Sequence, residues 1–344
     1  MPITNIRGGF NPKQVTGLQV WLDAADTSSM SFSSGSNISQ WRDKSGLTNH
    51  ATATSTPVLT ANSINGGQAI VLSSGTYFTG TTSITTTTLT VFAVALTTRA
   101  LPNSGVDQRL VSLENGANVD YGRADGVIAL FNQGSTSTIT TWRLSSVAGT
   151  GITQNVAFQA VSKYDGTTGF IWKDGNSGGS SASSGTFAVT KYGIGNQANP
   201  TGENWIGPIG EVLIYNAALG DTDRRDIEGY LAQKWGLTSG LPAGHPGLTR
   251  NYIGGGGSTR QSFTKIPYFS VFTPLSFSGC TLWLDASQDT TANGVSIASL
   301  VDRSGSGNSL TPSGTISAAT NFLRGKTVYN FGSSRASKTN FPWQ

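Results

Sequence analysis

Charge is what this sequence has least of. Charged residues make up 12% of the 344, about half of the ~25% usual in soluble domains. The 22 Lys and Arg are scattered, with no cluster denser than KQVTG or DRRD, whereas a nucleic-acid surface needs a basic stripe, so the net charge of +4 does not point to nucleic acid. Cysteine is nearly absent: the lone Cys280 cannot form an internal disulfide, and the chain is expected to fold in a reducing cytoplasm. Two histidines and one cysteine leave no zinc constellation. No apolar run approaches the ~20 residues of a membrane-spanning helix, so no membrane insertion is expected. The first 20 residues lack the apolar core of a secretory signal, and with Met1 as initiator no signal peptide is expected.

Gly, Ser and Thr are abundant, and between their clusters lie apolar blocks of four to eight residues that read as strands. They are LQVWLDA (18 to 24), QAIVLS (68 to 73), LTVFAVALT (89 to 97), RLVSLE (109 to 114), GVIALFN (126 to 132), STITTWRL (137 to 144), VAFQAVSKY (156 to 164), TGFIWKD (168 to 174) and IGEVLIYN (209 to 216). In the last, Val212 and Ile214 point to one face and Glu211, Leu213 and Tyr215 to the other. VFAVAL does not alternate, as expected of a strand covered on both sides. The fold class is therefore all-β, two stacked antiparallel sheets.

One segment breaks the pattern. DTDRRDIEGYLAQKWGL (221 to 237) places Ile227, Tyr230, Leu231 and Trp235 at helical spacing and predicts one short helix over about 221–236. Asp221 is expected at its N-cap, Asp223 in the first turn, Lys234 in the last turn and Gly236 at the C-cap. The expected organisation is an N-terminal arm (1–16), a first domain (17–237), a Gly- and Pro-containing linker (238–278) that includes IGGGGSTR (253 to 260), and a partial second repeat (279–344).

The repeat is explicit. GLQVWLDA (17 to 24) returns as GCTLWLDA (279 to 286), ISQWRDKSG (38 to 46) as IASLVDRSG (297 to 305), and GQAIVLSSG (67 to 75) as GKTVYNFGS (325 to 333). The second copy supplies three or four strands, against about ten in the first. It is expected to need completion, either by further chain or by strand pairing with a neighbouring subunit. Within the repeats Asp43 and Asp302 each stand three residues before a glycine, Gly46 and Gly305, the pattern of a turn whose carboxylate accepts backbone N–H bonds. The competing role, a calcium ligand, lacks accompanying acids, so calcium is expected to be dispensable. Trp21 and Trp283 lie in apolar strands and are expected to be core residues rather than sugar platforms.

WLDA, ISQWRDKSG, NGGQAIVLSSGTYF, TVFAVA, AVSKYDGTTGFIWKDG and above all IGEVLIYNAALGDTDRRDIEGYLAQKWGL resemble the laminin-G-like branch of the concanavalin A-like lectin/glucanase superfamily. The resemblance spans nearly all of 17–237. It implies a jelly roll of two antiparallel sheets, with 279–344 as the first third of another, and a module that binds glycans or proteins, sometimes with calcium.

Tests for chemistry turn out negative. Glucanases of this superfamily set catalytic carboxylates on alternate residues of one strand face, and no such E-x-D-x-x-E trio is present. Asp221, Asp223, Asp226 and Glu228 cluster on the predicted helix, where capping and solvation account for them. GNSGG (175 to 179) fits a nucleophile elbow, but the GSSASSG after it reads as a flexible loop, and the two available bases, His50 and His245, lie in turn-like sequence. GIGNQA (193 to 198) imitates a dinucleotide fingerprint without a βαβ unit and reads as a strand end and turn. No catalytic, cofactor-binding or metal-binding residue is assigned and no cofactor is implied. The expected function is that of a non-enzymatic structural protein of a virus particle, assembled in the host cytoplasm with other virion proteins. The alternatives are a glycan-binding module of a cell-surface or secreted protein and a degenerate glycoside hydrolase.

Overall fold

The computed structural model describes residues 9–102, 105–115, 127–143, 145–147, 149–197, 202–253, 282–284, 294–304, 306–323, 326–331 and 335–337. The chain divides into two compact units, Met1–Gln261 and Ser262–Gln344. Of the residues singled out above, Gly126, Leu144, Ala198, Gly254 to Arg260, Gly279 to Thr281, Asp285, Ala286, Gly305, Gly325, Gly332 and Ser333 lie outside the described ones.

The first unit is an all-β sandwich with one α-helix among the described residues. In one layer the strands run β15 (Asn176–Ala182), β14 (Thr168–Lys173), β13 (Phe158–Tyr164), β8 (Leu89–Ala95), β17 (Gly207–Tyr215) and β1 (Leu18–Asp23), each antiparallel to the next. Beside the start of β17 lie β6 (Gly67–Leu72) and then β5 (Val58–Ile64). The other layer runs β2 (Met30–Ser34), β3 (Asn37–Trp41), β4 (Ala51–Thr54), β7 (Tyr77–Thr86), β16 (Phe187–Ile194), β9 (Gln108–Glu114), β10 (Val127–Asn132), β11 (Ile139–Arg143) and β12 (Ser145–Val147). A pairing of Asn37 with Val58 makes the two layers one curled antiparallel sheet. Face to face, Thr141 Oγ1 meets the Tyr164 hydroxyl at 2.8 Å, and the rings of Tyr164 and Phe187 meet edge-on at 5.5 Å.

All nine strands expected from apolar blocks are present, and β8 is buried along its whole length as expected. Among the described residues the unit has seventeen strands rather than about ten, because polar strands carry no apolar block. β7 is YFTGTTSITT, and β15, NSGGSSA, occupies most of the segment expected to be a loop.

The helix, α1 (Asp221–Lys234), lies on the outer side of the β1–β17–β8–β13 layer and buries Ile227, Tyr230 and Leu231, with Trp235 just beyond its end. Its N-cap is Gly220, one residue earlier than expected. Asp221 accepts instead from Arg224 Nη2 at 3.3 Å. Gly236 takes φ +68 at the C-terminal end, and Leu237 N–H reaches back to Ala232 O at 2.7 Å.

Neither boundary of the unit falls where the sequence suggested. Val15 packs into the core, Pro12 O accepts from the Tyr215 hydroxyl at 3.0 Å, and Phe10 N–H donates to Tyr252 O at 2.6 Å, so 9–16 is no free arm. Leu241, His245 and Tyr252 are buried on α1, so no linker begins at 238.

The second unit repeats part of the first, residue for residue from β3 to β6. Position n of the stretch from β3 to β6 matches n + 259, as with Asp43 and Asp302. The pair Asn37–Val58 becomes the bridge Ser296–Ser317. β5 and β6 pair Val58 with Val71, Leu59 with Ile70 and Ile64 with Gly67, while β19 (Ser317–Leu323) and β20 (Lys326–Asn330) pair Ser317 with Asn330, Ala318 with Tyr329 and Leu323 with Lys326. The third sequence block is therefore shifted by one: Gly67 answers to Lys326, not Gly325. β18 (Thr311–Ser313) and β21 (Arg335–Ser337) stand for β4 and the start of β7.

A chain ending at Leu237 loses Leu241, His245 and Tyr252 from its core, about 3 kcal/mol or more, and should melt on the order of 10 °C below one ending at Gln261. Calorimetry of the two chains measures this, and equal melting temperatures would restore the boundary at 237.

Candidate functional site

Three polar constellations concentrate the titratable groups of the described residues. The largest lies between α1 and the sheet. Glu211, on β17, has no solvent exposure. Its Oε1 accepts from Trp21 Nε1 at 2.7 Å and the Tyr230 hydroxyl at 2.9 Å, and its Oε2 from Trp235 Nε1 at 2.8 Å and Lys234 Nζ at 2.7 Å. Lys234 Nζ also reaches Asp23 Oδ1 at 2.6 Å. Asp23 Oδ2 meets Lys44 Nζ at 2.7 Å, and Lys44 Nζ meets Asp26 Oδ2 at 2.7 Å. Burial pushes the Glu211 carboxyl above its ordinary range, the Lys234 ammonium opposes the rise and the nearby Asp23 charge adds to it. The WLDA strand, the GEVLIY strand and the helix end YLAQKWG are thus tied by a single carboxylate. Gly210 belongs to the same packing, because a Cβ there would stand 3.0 Å from the Trp235 ring.

The second constellation corrects the expectation that Asp226 and Glu228 are solvated. Glu228 is fully buried, and both its oxygens accept from Arg224 Nη1, at 2.7 and 2.8 Å. His245 Nδ1 accepts from Gly247 N–H at 3.0 Å, which places the ring proton on Nε2, 3.1 Å from Glu228 Oε2. Asp226 accepts from Arg250 Nη1 at 2.9 Å and from the Tyr252 hydroxyl at 2.5 Å. With both ring nitrogens committed, His245 is no base for Ser177 of GNSGG, which sits on β15 opposite Trp172.

The third constellation is the repeated turn. Asp43 Oδ1 accepts from Trp21 N–H and Ser45 N–H, both at 2.8 Å, and Oδ2 from Ser45 Oγ at 2.6 Å and Asn49 N–H at 3.0 Å. Asp302 accepts from Trp283 N–H (2.9 Å), Ser304 N–H, Ser304 Oγ and Asn308 N–H (each 2.8 Å). Both carboxylates hold turns, as the spacing indicated, and Gly46 takes φ +103. Burial works to raise the Asp302 carboxyl, but the bonds from Trp283, Ser304 and Asn308 outweigh it and hold it down at about 2.

Trp21 is buried by α1 and donates to Glu211, while Trp283 is half-buried. The described part of GIGNQA, Gly193 to Gln197, is the end of β16 and a bend, with Gly195 at φ +80. Among the described residues no three His, Cys, Asp or Glu side chains are grouped to hold a metal. A cleft of about 420 Å³ near the C-terminal end of α1 is lined by Asn65, Asn155, Asp174, Leu237 and Ser239 among others. The Asp174 carboxylate there is committed to Gln159 N–H (3.0 Å) and Lys173 Nζ (2.7 Å).

A different surface is polar and carries little charge. On the side of the second layer turned away from the core the register aligns Ser31, Gln40, Thr52, Thr79, Gly193 and Ser112 on six neighbouring strands, of which Gly193 and Ser112 are buried. The row beside it, Met30, Trp41, Ala51, Gly80, Tyr192 and Leu113, faces the core. Ser31, Gln40, Thr52 and Thr79 are open or half-open to solvent, beside exposed Thr81 and Lys191. The sequence did not single this row out, since its residues are far apart in the chain and none is charged.

No protein-family model matches the chain, and no curated protein matches it in sequence. Among solved structures, domain 4 of AbnA, a GH43 extracellular arabinanase from Geobacillus stearothermophilus in complex with arabinotriose, is 13% identical with a TM-score of 0.46, over 66% of this chain and 98% of that one. The botulinum neurotoxin serotype D binding domain is 14% identical with a TM-score of 0.44, over 62% of this chain and 50% of that one. The Ruminococcus gnavus IT-sialidase CBM40 bound to alpha2,3 sialyllactose is 15% identical with a TM-score of 0.32, over 40% and 79%.

Removing the Glu211 side chain leaves Lys234 and two indole N–H groups buried around a void. Glu211→Ala should cost about 3–5 kcal/mol, whereas Asp26→Ala, at the partly exposed end of the same chain of charges, should cost under about 1 kcal/mol. Denaturant titration of both variants checks the contrast. For Asp302, whose folded pKa is depressed, the stabilisation is present above the ordinary aspartate range and is lost as pH falls through about 2. Carboxyl NMR should show its midpoint there, and a midpoint near 4 would mean that the turn is open.

Proposed function

We propose that the first unit is a non-enzymatic, lectin-like binding module and that its ligand class is carbohydrate, bound on the outer face of the β2–β3–β4–β7–β16 layer. The observation that carries this proposal is the row Ser31, Gln40, Thr52 and Thr79. Gln40, Thr52 and Thr79 present uncharged amide and hydroxyl groups, each a donor and an acceptor, and Ser31 Oγ accepts from exposed Arg42 Nη2 at 2.8 Å, on strands ~4.8 Å apart, a spacing close to the width of one sugar ring. Such groups exchange hydrogen bonds with sugar hydroxyls at little ordering cost because the sheet already holds them in place. The motif resemblance to laminin-G-like modules supports the same reading.

The absence of catalysis is inferred from how the carboxylates are used. Asp23, Asp43, Asp174, Glu211 and Glu228 each meet donors from their own chain, so a nucleophile and acid pair of the glycosidase kind has no member among them. The virion setting and the virion partners are carried by the sequence alone. Mass spectrometry of purified particles tests them independently of any ligand.

A glycan array probed with the full chain should retain ligand, and Thr52→Arg with Thr79→Arg should weaken retention at least tenfold while the melting temperature stays within about 2 °C of the parent. No retained glycan, or retention unaffected by the two substitutions, would overturn the proposal.

A further inference from the structure

Beside the row Gln40, Thr52 and Thr79 runs a second row, two residues further along each strand. The register that pairs Trp41 with Ala51, Ala51 with Gly80 and Gly80 with Tyr192 places Arg42, His50, Thr81 and Lys191 one step beyond that core-facing row. Arg42, Thr81 and Lys191 are exposed, and the Arg42 guanidinium reaches Ser31 Oγ at 2.8 Å, so the second row shares the open face with the first. His50 is held by the repeated turn, its Nδ1 accepting from Asp43 N–H at 3.0 Å. The row thus carries a cation at each end, Arg42 just past β3 and Lys191 on β16, three strand spacings or about 14 Å apart. Among the described residues Arg42 meets no carboxylate, and Lys191 has no hydrogen-bonding or ionic partner. Asp43, next to Arg42, has both oxygens filled by its turn. Glu114 of β9, opposite Lys191, is the single carboxylate on the described strands of this layer, and it is fully buried. One edge of the face is therefore positive, and the edge along Gln40, Thr52 and Thr79 is neutral.

Resting on the carbohydrate reading of this face, we propose that its ligand is an acidic glycan, a chain of uronic acid residues laid across the strands with carboxylates toward Arg42 and Lys191. A pyranuronic ring carries its carboxyl group beside the ring oxygen at one edge and free hydroxyls at the opposite edge. The two rows are two residues apart along each strand, about 7 Å, so one ring can offer an edge to each. The guanidinium and ammonium take the carboxylates in charge-assisted bonds, and the amide and hydroxyls of the neutral row exchange bonds with the sugar hydroxyls. A glycan with sulfates on both edges fits less well, because its anions would also lie over Gln40, Thr52 and Thr79, where no cation receives them. The separation of the two cations exceeds one ring, which covers about one strand spacing, so a chain fills both and a single sugar does not.

The test uses the full chain and tetramers of glucuronate, galacturonate, mannuronate and guluronate, each against its carboxyl-reduced counterpart, in which the acid is a primary alcohol. At low salt at least one tetramer should bind about tenfold more tightly than its reduced form, the worth of one charge-assisted bond. That ratio should fall toward one in the Arg42→Gln, Lys191→Gln chain, and in the parent at about 0.5 M sodium chloride, where exposed charges are screened. Both side chains are exposed, so the double variant should melt within about 2 °C of the parent. Thr52→Arg with Thr79→Arg still loses the acidic chain, since long side chains there occupy the place of the rings. Acid and reduced forms bound equally would overturn the proposal and leave the carbohydrate reading standing. A sulfated neutral tetramer bound more tightly than every uronate, or a single uronic acid bound as tightly as its tetramer, would overturn it as well. No binding of any sugar, acidic or reduced, would overturn the carbohydrate reading and this proposal with it.

Discussion

The first unit depends on one buried carboxylate. Glu211 accepts four hydrogen bonds from four side chains, those of Trp21 in the first strand and of Tyr230, Lys234 and Trp235 in and just after the helix. A charge without solvent is costly unless its lone pairs are filled, and here each is filled by a group whose own burial needs an acceptor. The indole N–H groups of Trp21 and Trp235 and the Lys234 ammonium are satisfied by the same two oxygens. The helix can therefore cover the sheet only in the one position where all four donors converge. The apolar contacts of Ile227 and Leu231 supply adhesion, and the carboxylate supplies registration.

This accounts for why WLDA, GEVLIY and YLAQKWG are such distinctive segments of the sequence. Each was visible as a motif, and their common cause was not, because Trp21 and Glu211 are 190 residues apart. The Asp43 turn was legible for the opposite reason. Two of its donors, Ser45 and Asn49, lie within six residues of Asp43, and the turn pattern is written in D-x-x-G. Strands with an apolar block were legible as well. Those that carry their fold through Thr, Ser and Gly, as in β7 and β15, were not, since period-two alternation of polar residues has no apolar half to show.

The acidic cluster on α1 shows another limit. On an isolated helix Asp226 and Glu228 stand among polar residues and read as solvated. Glu228 is buried and Asp226 half-buried because the chain after Leu237 doubles back, bringing His245, Arg250 and Tyr252 onto that face. Whether a helix face meets water is decided by what comes after the helix, and local periodicity carries no record of it. The outer row from Ser31 to Thr79 was hidden for a related reason: a row across a sheet exists only after the strands have chosen their register.

The pairing of β1 with β17 also bears on how the molecule is made. β1 leaves the ribosome long before its ladder partner β17, which begins at Gly207. At about 5–20 residues per second, roughly 10–40 s pass before that partner emerges. Throughout this interval Val20, Trp21 and Leu22 have a tight local turn to hold on to and no sheet to join. The Asp43 turn can close as soon as Asn49 is synthesised, and it pins the backbone of Trp21 from that moment. The turn thus keeps an apolar strand in order while it waits, a service to the nascent chain that is separate from its place in the finished fold.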